Sequence, residues 1–210
     1  MSEDNGMNED DGNKYTHGWA FEGYAIKLSR AFGFLYEYEV LALQVLARSL
    51  GAGAKIVNIG AGAGTSALAM KEARPDSMMW TIDISKGHPT GGMENEYNAF
   101  QKVNMLDQLP IQILGDSSEI GRTWGTEPLP GVMVDMVFVD GGHSPEVLTK
   151  DIDAWFPWVR DNGIMAFHDY HPEFWSGLMV VIDNHQLLVA CPTLFVVESL
   201  IVKRITREGL

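Results

Sequence analysis

Short apolar runs rich in β-branched residues alternate along the chain with longer segments of helix-forming residues. The short runs predict β-strands at 55–59, 78–84, 111–114, 135–139 and 163–167. The longer segments predict helices near 34–50, 65–72, 94–104, 117–124, 145–159 and 173–189. Strands that alternate with helices in this way favour a parallel sheet covered on both faces. The chain is therefore predicted to adopt a doubly wound, Rossmann-like α/β fold.

The two ends of the chain have different patterns. Two β-rich runs lie between residues 193 and 206, on either side of Glu198 and Ser199, and predict an antiparallel hairpin. Residues 1–14 are rich in Asp, Glu, Asn and Gly, so they are expected to form a disordered acidic tail. Residues 15–210 are expected to form one domain.

The net charge of −13 narrows the range of expected partners. An acidic surface repels phosphate groups, which argues against nucleic acid and anionic membranes. The one cysteine, Cys191, excludes an internal disulfide and a cysteine-only zinc site, as expected in a reducing compartment. No leader-like segment begins the sequence, and no apolar run is long enough to span a bilayer. We therefore expect a cytoplasmic protein that acts on a small molecule, with the oligomeric state left open.

A glycine-rich segment joins the first predicted strand to the helix that begins at Thr65. Gly60, Gly62 and Gly64 alternate there, which allows a sharp turn and the close approach of a ligand to the backbone. The dinucleotide fingerprint would place its third glycine at position 65, so a nicotinamide-dependent oxidoreductase is disfavoured but not eliminated. The segment favours a nucleotide-cofactor loop, although a tight strand-to-helix turn would also fit.

Two acidic residues follow later strands at positions suited to a nucleoside. Asp83 ends the second strand, 23 positions after Gly60 and close to the ~20 at which an acidic residue binds a ribose in this fold. Asp116 and Ser117 follow the third strand at the start of a helix, where they would contact adenine. The alternatives are a polar strand end for Asp83 and a simple helix N-cap for Asp116.

A polar cluster is predicted where the fourth and fifth strands end. Asp140 ends one strand, and His168 with Asp169 follows the next, so the carboxyl ends of neighbouring strands should bring them together with His143. Each residue also has a structural interpretation: Asp140 could cap the following helix, His168 could be a core histidine, and Asp169 could brace a turn. Four such residues converging at one edge favour a functional site.

These sites, together with the segment DMVFVDGGHSPEVLTKDIDAWFPWVRDNGIMAFHDY, resemble the class I S-adenosylmethionine-dependent methyltransferases. The narrower resemblance is to small-molecule O-methyltransferases and cephalosporin-hydroxylase-like proteins, over roughly residues 34–206. It implies a seven-stranded sheet, mostly parallel, with a C-terminal antiparallel hairpin. The implied cofactor-binding residues are Gly60, Ala61, Gly62, Gly64, Thr65, Asp83, Ile84, Asp116, Ser117 and Asp140. The chain departs from this pattern at Asn58, where many relatives have an acid, and in the segment 85–96, which is expected to cover the substrate.

The resemblance also implies a reaction. His168 and Asp169 lie 28 and 29 residues after Asp140, as in metal-dependent catechol-type O-methyltransferases, which implies a metal site of Asp140, His168 and Asp169. The carboxylates suit Mg²⁺ and the imidazole suits Mn²⁺, Fe²⁺ or Zn²⁺, so the ion is left open. His143 occupies the place of a catalytic lysine and is expected to be the general base, with Asp140 beneath the methyl group. The implied function is O-methylation of a small-molecule hydroxyl; the alternative is a protein of this fold that binds S-adenosylmethionine without catalysis.

Overall fold

A central β-sheet organises the computed structural model, which describes residues 23–32, 34–87 and 91–207. Its strands are β1 (Lys55–Ile59), β2 (Met78–Asp83), β3 (Ile111–Leu114), β4 (Val134–Val139), β5 (Val159–Phe167), β6 (Thr193–Val197) and β7 (Leu200–Arg204). The spatial order is β3-β2-β1-β4-β5-β7-β6. Strands β1 to β5 pair in parallel, and β7 is antiparallel to both β5 and β6. The predicted fold class and closing hairpin are confirmed, whereas the predicted tail at 1–14 lies outside the described residues.

Helices cover both faces of the sheet. They are α1 (Tyr24–Phe32), α2 (Glu37–Ser49), α3 (Thr65–Ala73), α4 (Met93–Lys102), α5 (Ser117–Thr123), α6 (Pro145–Trp155) and α7 (Ser176–Asn184). One apolar core lies under α1 to α4, and a second lies under α5 to α7. In the described ranges, no helix has the length and apolar character needed to cross a bilayer.

The start of α2 differs from the prediction. The expected helix at 34–50 begins only at Glu37, and a separate α1 precedes it that the sequence analysis did not predict. The Glu39 carboxylate accepts a hydrogen bond from the backbone N–H of Tyr36 at 2.7 Å, which satisfies one of the free donors at the helix start. This local bond sets the first turn of α2 and places Glu39 inside the protein.

Three tryptophans form the centre of the second core. Trp80 and Trp124 meet edge to face with ring centroids 5.3 Å apart, and Trp124 meets Trp155 at 5.0 Å. The Trp155 indole N–H donates to the carbonyl of Ser117 at 3.0 Å, so a buried polar group is satisfied where α5 begins. Trp155 is fully buried, and the same ring fixes a backbone segment that reaches the site described below.

A buried polar network lies beneath the glycine loop. Asn58 on β1 accepts a hydrogen bond from Ser66 at 3.1 Å, and its amide lies 3.4 Å from the Thr81 hydroxyl. Thr81 donates to the fully buried Glu96 at 2.7 Å, and Gln112 donates to its other oxygen at 2.8 Å. Burial raises the pKa of Glu96 to about 7 despite these bonds, because the charged form loses its hydration.

We predict that Glu96 makes stability decline as the pH rises toward neutrality. Its pKa lies near 4.5 in the unfolded chain and about 7 when folded, so its favourable contribution is complete below 4.5 and disappears as the pH passes 7. Glu96→Gln mimics the protonated form. Relative to the wild type, the free energy of unfolding of the variant should rise by about 2.5 kcal/mol between pH 5 and pH 8 in urea unfolding. Glu94→Gln, an exposed neighbour on α4, is the control, and equal pH profiles for the two variants would contradict the assignment.

Candidate active site

A cavity of about 780 Å³ opens at the carboxyl edge of the parallel strands. This edge includes the gap between β1 and β4, where the strand order reverses and open α/β sheets bind ligands. The predicted cofactor residues that line the cavity are Gly60, Gly62, Asp83, Ile84, Asp116, Ser117 and Asp140. Ala61, Gly64 and Thr65 were predicted as contacts but are buried outside this lining, so they shape the loop from behind.

The three glycines of the loop have positive φ angles, each with a different spatial requirement. Gly60 has φ +94°, and a Cβ there would lie 2.0 Å from the backbone oxygen of Asp140. Gly64 has φ +85°, and a Cβ would lie 2.9 Å from the side chain of Ala99. Gly62 has φ +51° and open space around it, on the side that faces the cavity. The loop therefore turns tightly against β4 and α4 while it leaves backbone exposed to a ligand.

Asp83 connects the glycine loop to the end of β2. One carboxylate oxygen accepts from the backbone N–H of Ala61 at 2.7 Å, and the other accepts from that of Ser85 at 2.6 Å. A carboxylate oxygen can accept more than one hydrogen bond, so both oxygens keep capacity for ribose hydroxyls. Asp83 thus has a structural role and lines the cavity, and its contact with ribose stays a prediction.

Asp116 is the N-cap of α5, as one of its two interpretations predicted. Its carboxylate accepts from the backbone N–H of Glu119 at 3.0 Å and from the Ser118 hydroxyl at 2.7 Å. Ser117 donates to the buried Asp151, whose pKa burial raises to about 6. Asp116 and Ser117 also line the cavity, so the adenine contact stays a prediction beside the confirmed cap.

Asp140, His143 and Asp169 converge at one end of the cavity. Each has a potential ligand atom within 4.8 Å of the others, which is close enough for a shared metal ion. His143 Nε2 lies 3.1 Å from Asp169 Oδ2, and the imidazole is about half exposed. Helix α6 is capped by Ser144, whose hydroxyl accepts from the Val147 N–H at 3.3 Å, so Asp140 is not its cap.

His168 lies between carboxylates on both sides, and it is not in the group of side chains whose ligand atoms converge at the end of the cavity. Its Nδ1 is 3.2 Å from Asp140 and 3.3 Å from Asp169, and its Nε2 is 3.1 Å from Glu39. Burial opposes a charge on the ring, but the three carboxylates outweigh it and raise the pKa of His168 well above its usual range. Both ring nitrogens face carboxylate oxygens, whereas the half-exposed imidazole of His143 has one such neighbour. The geometry therefore favours His143 over the predicted His168 as the third ligand.

Glu39 and Ser199 complete the surroundings of His168, and the sequence analysis did not identify either. Glu39 lies on α2, and Ser199 lies in the turn between β6 and β7. The Ser199 hydroxyl is 2.7 Å from Glu39 and 3.2 Å from His168 Nε2. No local motif marks these residues, because their partners are 129 and 31 positions from His168 in the chain.

Aromatic side chains form the outer wall of the cavity. Trp175 packs on His143 with ring centroids 4.7 Å apart, and Phe174 packs on His171 at 4.8 Å. Phe34 and Tyr36 contribute to the lining from the segment before α2, and Phe174 is 71% exposed. His171 is half-buried against Phe174 and lines the cavity.

Comparison with solved structures gives matches over nearly the whole chain. The O-methyltransferase TomG from Streptomyces achromogenes, in complex with SAM, has a TM-score of 0.66 and 19% identity and covers 90% of each chain. A putative O-methyltransferase from Klebsiella pneumoniae has a TM-score of 0.64 and 14% identity, covering 90% of this chain and 91% of that chain. MycE of the mycinamycin biosynthetic pathway, in complex with Mg, SAH and mycinamycin VI, has a TM-score of 0.60 and 16% identity and covers 89% of this chain and 56% of its own.

At these identities the solved structures show a shared fold. The sequence itself gives the stronger result, because the family described as "Methyltransferase domain" matches residues 57–170. This match covers more than half of the chain, from β1 through β5 to Tyr170, and includes the glycine loop, Asp83, Asp140 and His143. The chain belongs to the methyltransferase-domain family.

Proposed function

We propose that this protein transfers the methyl group of S-adenosylmethionine to a hydroxyl oxygen of a small molecule. The main support for this proposal is that the glycine loop lines the same cavity as the cluster of Asp140, His143 and Asp169. A cofactor on the loop would present its methyl group toward groups able to activate a hydroxyl. TomG is an O-methyltransferase in complex with SAM, and MycE binds Mg and SAH, which supports the same assignment here.

Methyl transfer requires the protein to align the acceptor oxygen with the methyl group and to remove the proton of the acceptor hydroxyl. The sulfonium methyl is already activated, so the acceptor oxygen must be held in line with it. A phenolic hydroxyl has a pKa of ~10 and must lose its proton during transfer. His143 is suited to accept that proton, because its ring is held beside Asp169 and is half exposed to solvent.

A divalent metal fits the acidic end of the cavity. Asp140 and Asp169 supply oxygen ligands, and His143 lies close enough to complete the set in the alternative in which it is not the base. When bound, such an ion would act as a Lewis acid that lowers the pKa of the acceptor hydroxyl. Asp140 and Asp169 would then hold the ion and, through it, the position of the acceptor.

The lining of the cavity supports an acceptor with a planar apolar part and without anionic groups. Trp175, Phe174 and Tyr36 present aromatic surface beside the acidic cluster. Among the described residues, no Lys or Arg side chain lines the cavity, so a phosphate or carboxylate would lack a cationic partner. The net charge of −13 supports the same choice over nucleic acid, and the single cysteine supports a cytoplasmic location.

Asp83→Asn should weaken cofactor binding. The substitution removes the charge that would accept the ribose hydroxyls, and the loss of a charged hydrogen-bond partner costs about 1.5 to 3 kcal/mol. Titration calorimetry with S-adenosylhomocysteine should therefore give an affinity roughly ten- to hundredfold lower. Asp76→Asn, which alters an exposed acid that accepts from the Gly53 N–H, is the matched control. An unchanged affinity in the Asp83 variant would refute its assignment to ribose.

Asp169→Asn and metal chelation should both abolish turnover while leaving cofactor affinity within about twofold. The reason is that the acidic end of the cavity would contact the acceptor and not the adenosine. Transfer of radiolabelled methyl groups to a panel of phenols, catechols and sugar hydroxyls measures the rate, and calorimetry measures the affinity. Asp153→Asn, an exposed acid on α6, should be fully active.

His143→Ala separates the two ways in which the cluster could work. If His143 is the general base, kcat of the variant should fall about a hundredfold while it still responds to added metal. Full activity of the wild type in excess chelator would exclude the metal and leave His143 as the lone base. Activity in both the Asp169 and His143 variants would contradict the whole cluster.

Phe174→Ala should raise the acceptor KM about tenfold at constant kcat, because an exposed aromatic wall contributes binding that is equal in ground and transition states. Phe174 is 71% exposed, so its replacement should not change the melting temperature. Val180→Ala, exposed on α7, is the control. An unchanged KM would show that the acceptor does not reach this wall.

A further inference from the structure

A buried carboxylate from α2 lies directly behind the acidic end of the cavity. Glu39 is fully buried, and four donors face its two oxygens. One oxygen accepts from the backbone N–H and the hydroxyl of Ser199, both at 2.7 Å. The other accepts from the Tyr36 N–H at 2.7 Å and from His168 Nε2 at 3.1 Å. Such complete hydrogen bonding is what allows a carboxylate to remain charged inside a protein.

His168 links the buried Glu39 to the two aspartates that line the cavity. Both of its ring nitrogens face carboxylate oxygens, with Glu39 on one side and Asp140 and Asp169 on the other. Ionised carboxylates only accept hydrogen bonds, so both nitrogens act as donors and the ring bridges the two sides. The ring also separates Glu39 from the carboxylates of Asp140 and Asp169, three groups of like charge that would otherwise repel one another.

The arrangement joins three parts of the chain that are distant in sequence. Glu39 comes from α2, His168 follows β5, and Ser199 comes from the β6–β7 turn, where its carbonyl also accepts from the Tyr170 N–H at 2.8 Å. Glu39 and Ser199 both lie outside residues 57–170, the part that matches the methyltransferase family. The bridge therefore depends on side chains that the family match does not include.

We propose that Glu39 is a positioning residue, which fixes the His168 ring and, through it, the Asp140 and Asp169 carboxylates that face the acceptor. This inference rests on the proposed function for its effect on catalysis. Glu39 does not line the cavity, so it acts on the reaction only through His168. Misplacement of reacting groups by about 1 Å can cost ~10²-fold in rate, so a residue behind the site can control turnover.

Glu39→Gln is the test variant, because it keeps the shape of the side chain and removes the charge. We expect kcat at saturating acceptor to fall at least tenfold, while the acceptor KM and the affinity for S-adenosylhomocysteine stay within twofold. Glu72→Gln is the matched control. Glu72 is a half-buried acid that accepts a hydrogen bond from Gln44 of the same helix α2 at 3.2 Å and another from the Tyr24 N–H. Neither of these bonds involves His168. It should lower the melting temperature without changing kcat by more than twofold.

A double-mutant comparison tests whether Glu39 works through His168. His168→Gln and the combined Glu39→Gln, His168→Gln variant should have the same kcat within twofold, because Glu39 has nothing left to position. The combined variant should melt at a higher temperature than the single His168→Gln variant. The single variant leaves the buried Glu39 carboxylate without its cationic partner, and the combined variant does not. Multiplicative losses of kcat would show that Glu39 acts by another route and would overturn the proposal.

Crystal structures of the wild type and the Glu39→Gln variant with S-adenosylhomocysteine make the result independent of the acceptor. The His168 ring or the Asp169 carboxylate should be displaced in the variant, and unchanged positions would overturn the proposal. If wild-type protein binds the cofactor but methylates nothing in the panel, the proposed function fails, and these structures still decide the role of Glu39. If Glu39→Gln does not fold, Ser199→Ala removes one of the four donors and should give the same split between kcat and KM in weaker form. A kcat that equals the wild-type value in Ser199→Ala, with the His168 ring in place, would likewise overturn it.

Discussion

The close approach of Gly60 to the backbone of Asp140 is the constraint on which the site depends. The Gly60 N–H donates to Ile82 at 2.8 Å, and the Asp140 N–H donates to Ile59 at 2.9 Å, so the sheet ladder continues past the ends of its strands. No side chain fits between the two segments, since a Cβ on Gly60 would lie 2.0 Å from the Asp140 oxygen. A single rigid frame therefore carries both the cofactor loop and the acidic cluster, and their separation is set by the spacing of β1 and β4.

Charge balance is the second organising feature, and it joins the site to distant elements. Glu39, Asp140 and Asp169 surround one imidazole in a region that water reaches poorly. Although burial opposes ionisation, contact with His168 lowers the pKa of Asp169 and of Glu39. Carboxylates outnumber the imidazole three to one here, so a divalent cation or the cationic cofactor would meet net negative charge on entering the cavity.

Much of the fold followed from sequence because the central strands β1, β2 and β4 are buried along most of their length. The continuous apolar run of β4 has no other stable position in a protein of this size, and its predicted bounds differ from the observed ones by one residue. The predicted ends of helices and strands were wrong where tertiary contacts determine the end of an element. Helix α6 ends at Trp155 instead of 159, with Pro157 in a short 3-10 turn after it, and β5 begins at Val159 because a register shift against β4 extends the pairing.

The site was less predictable than the fold for a similar reason. Asp140, His143 and Asp169 follow the ends of β4 and β5. The alternation of strands and helices in the sequence is enough to predict that these ends lie side by side. His168 was predicted to be a metal ligand because its spacing from Asp140 resembles that of metal-dependent O-methyltransferases, and only the folded chain brings Glu39 to its other side. Sequence spacing reports which residues share an edge of the sheet, but it does not report what α2 places behind that edge.

The hairpin of β6 and β7 supplies part of the site from a segment outside the cofactor loop. The glycine loop and β1 to β5 all lie before residue 170, yet two of the four donors to Glu39 come from Ser199. The cofactor loop and the support of the buried carboxylate are therefore built by different parts of the chain. A change in the turn between β6 and β7 can alter what lies behind the acidic cluster while every residue of the glycine loop stays the same.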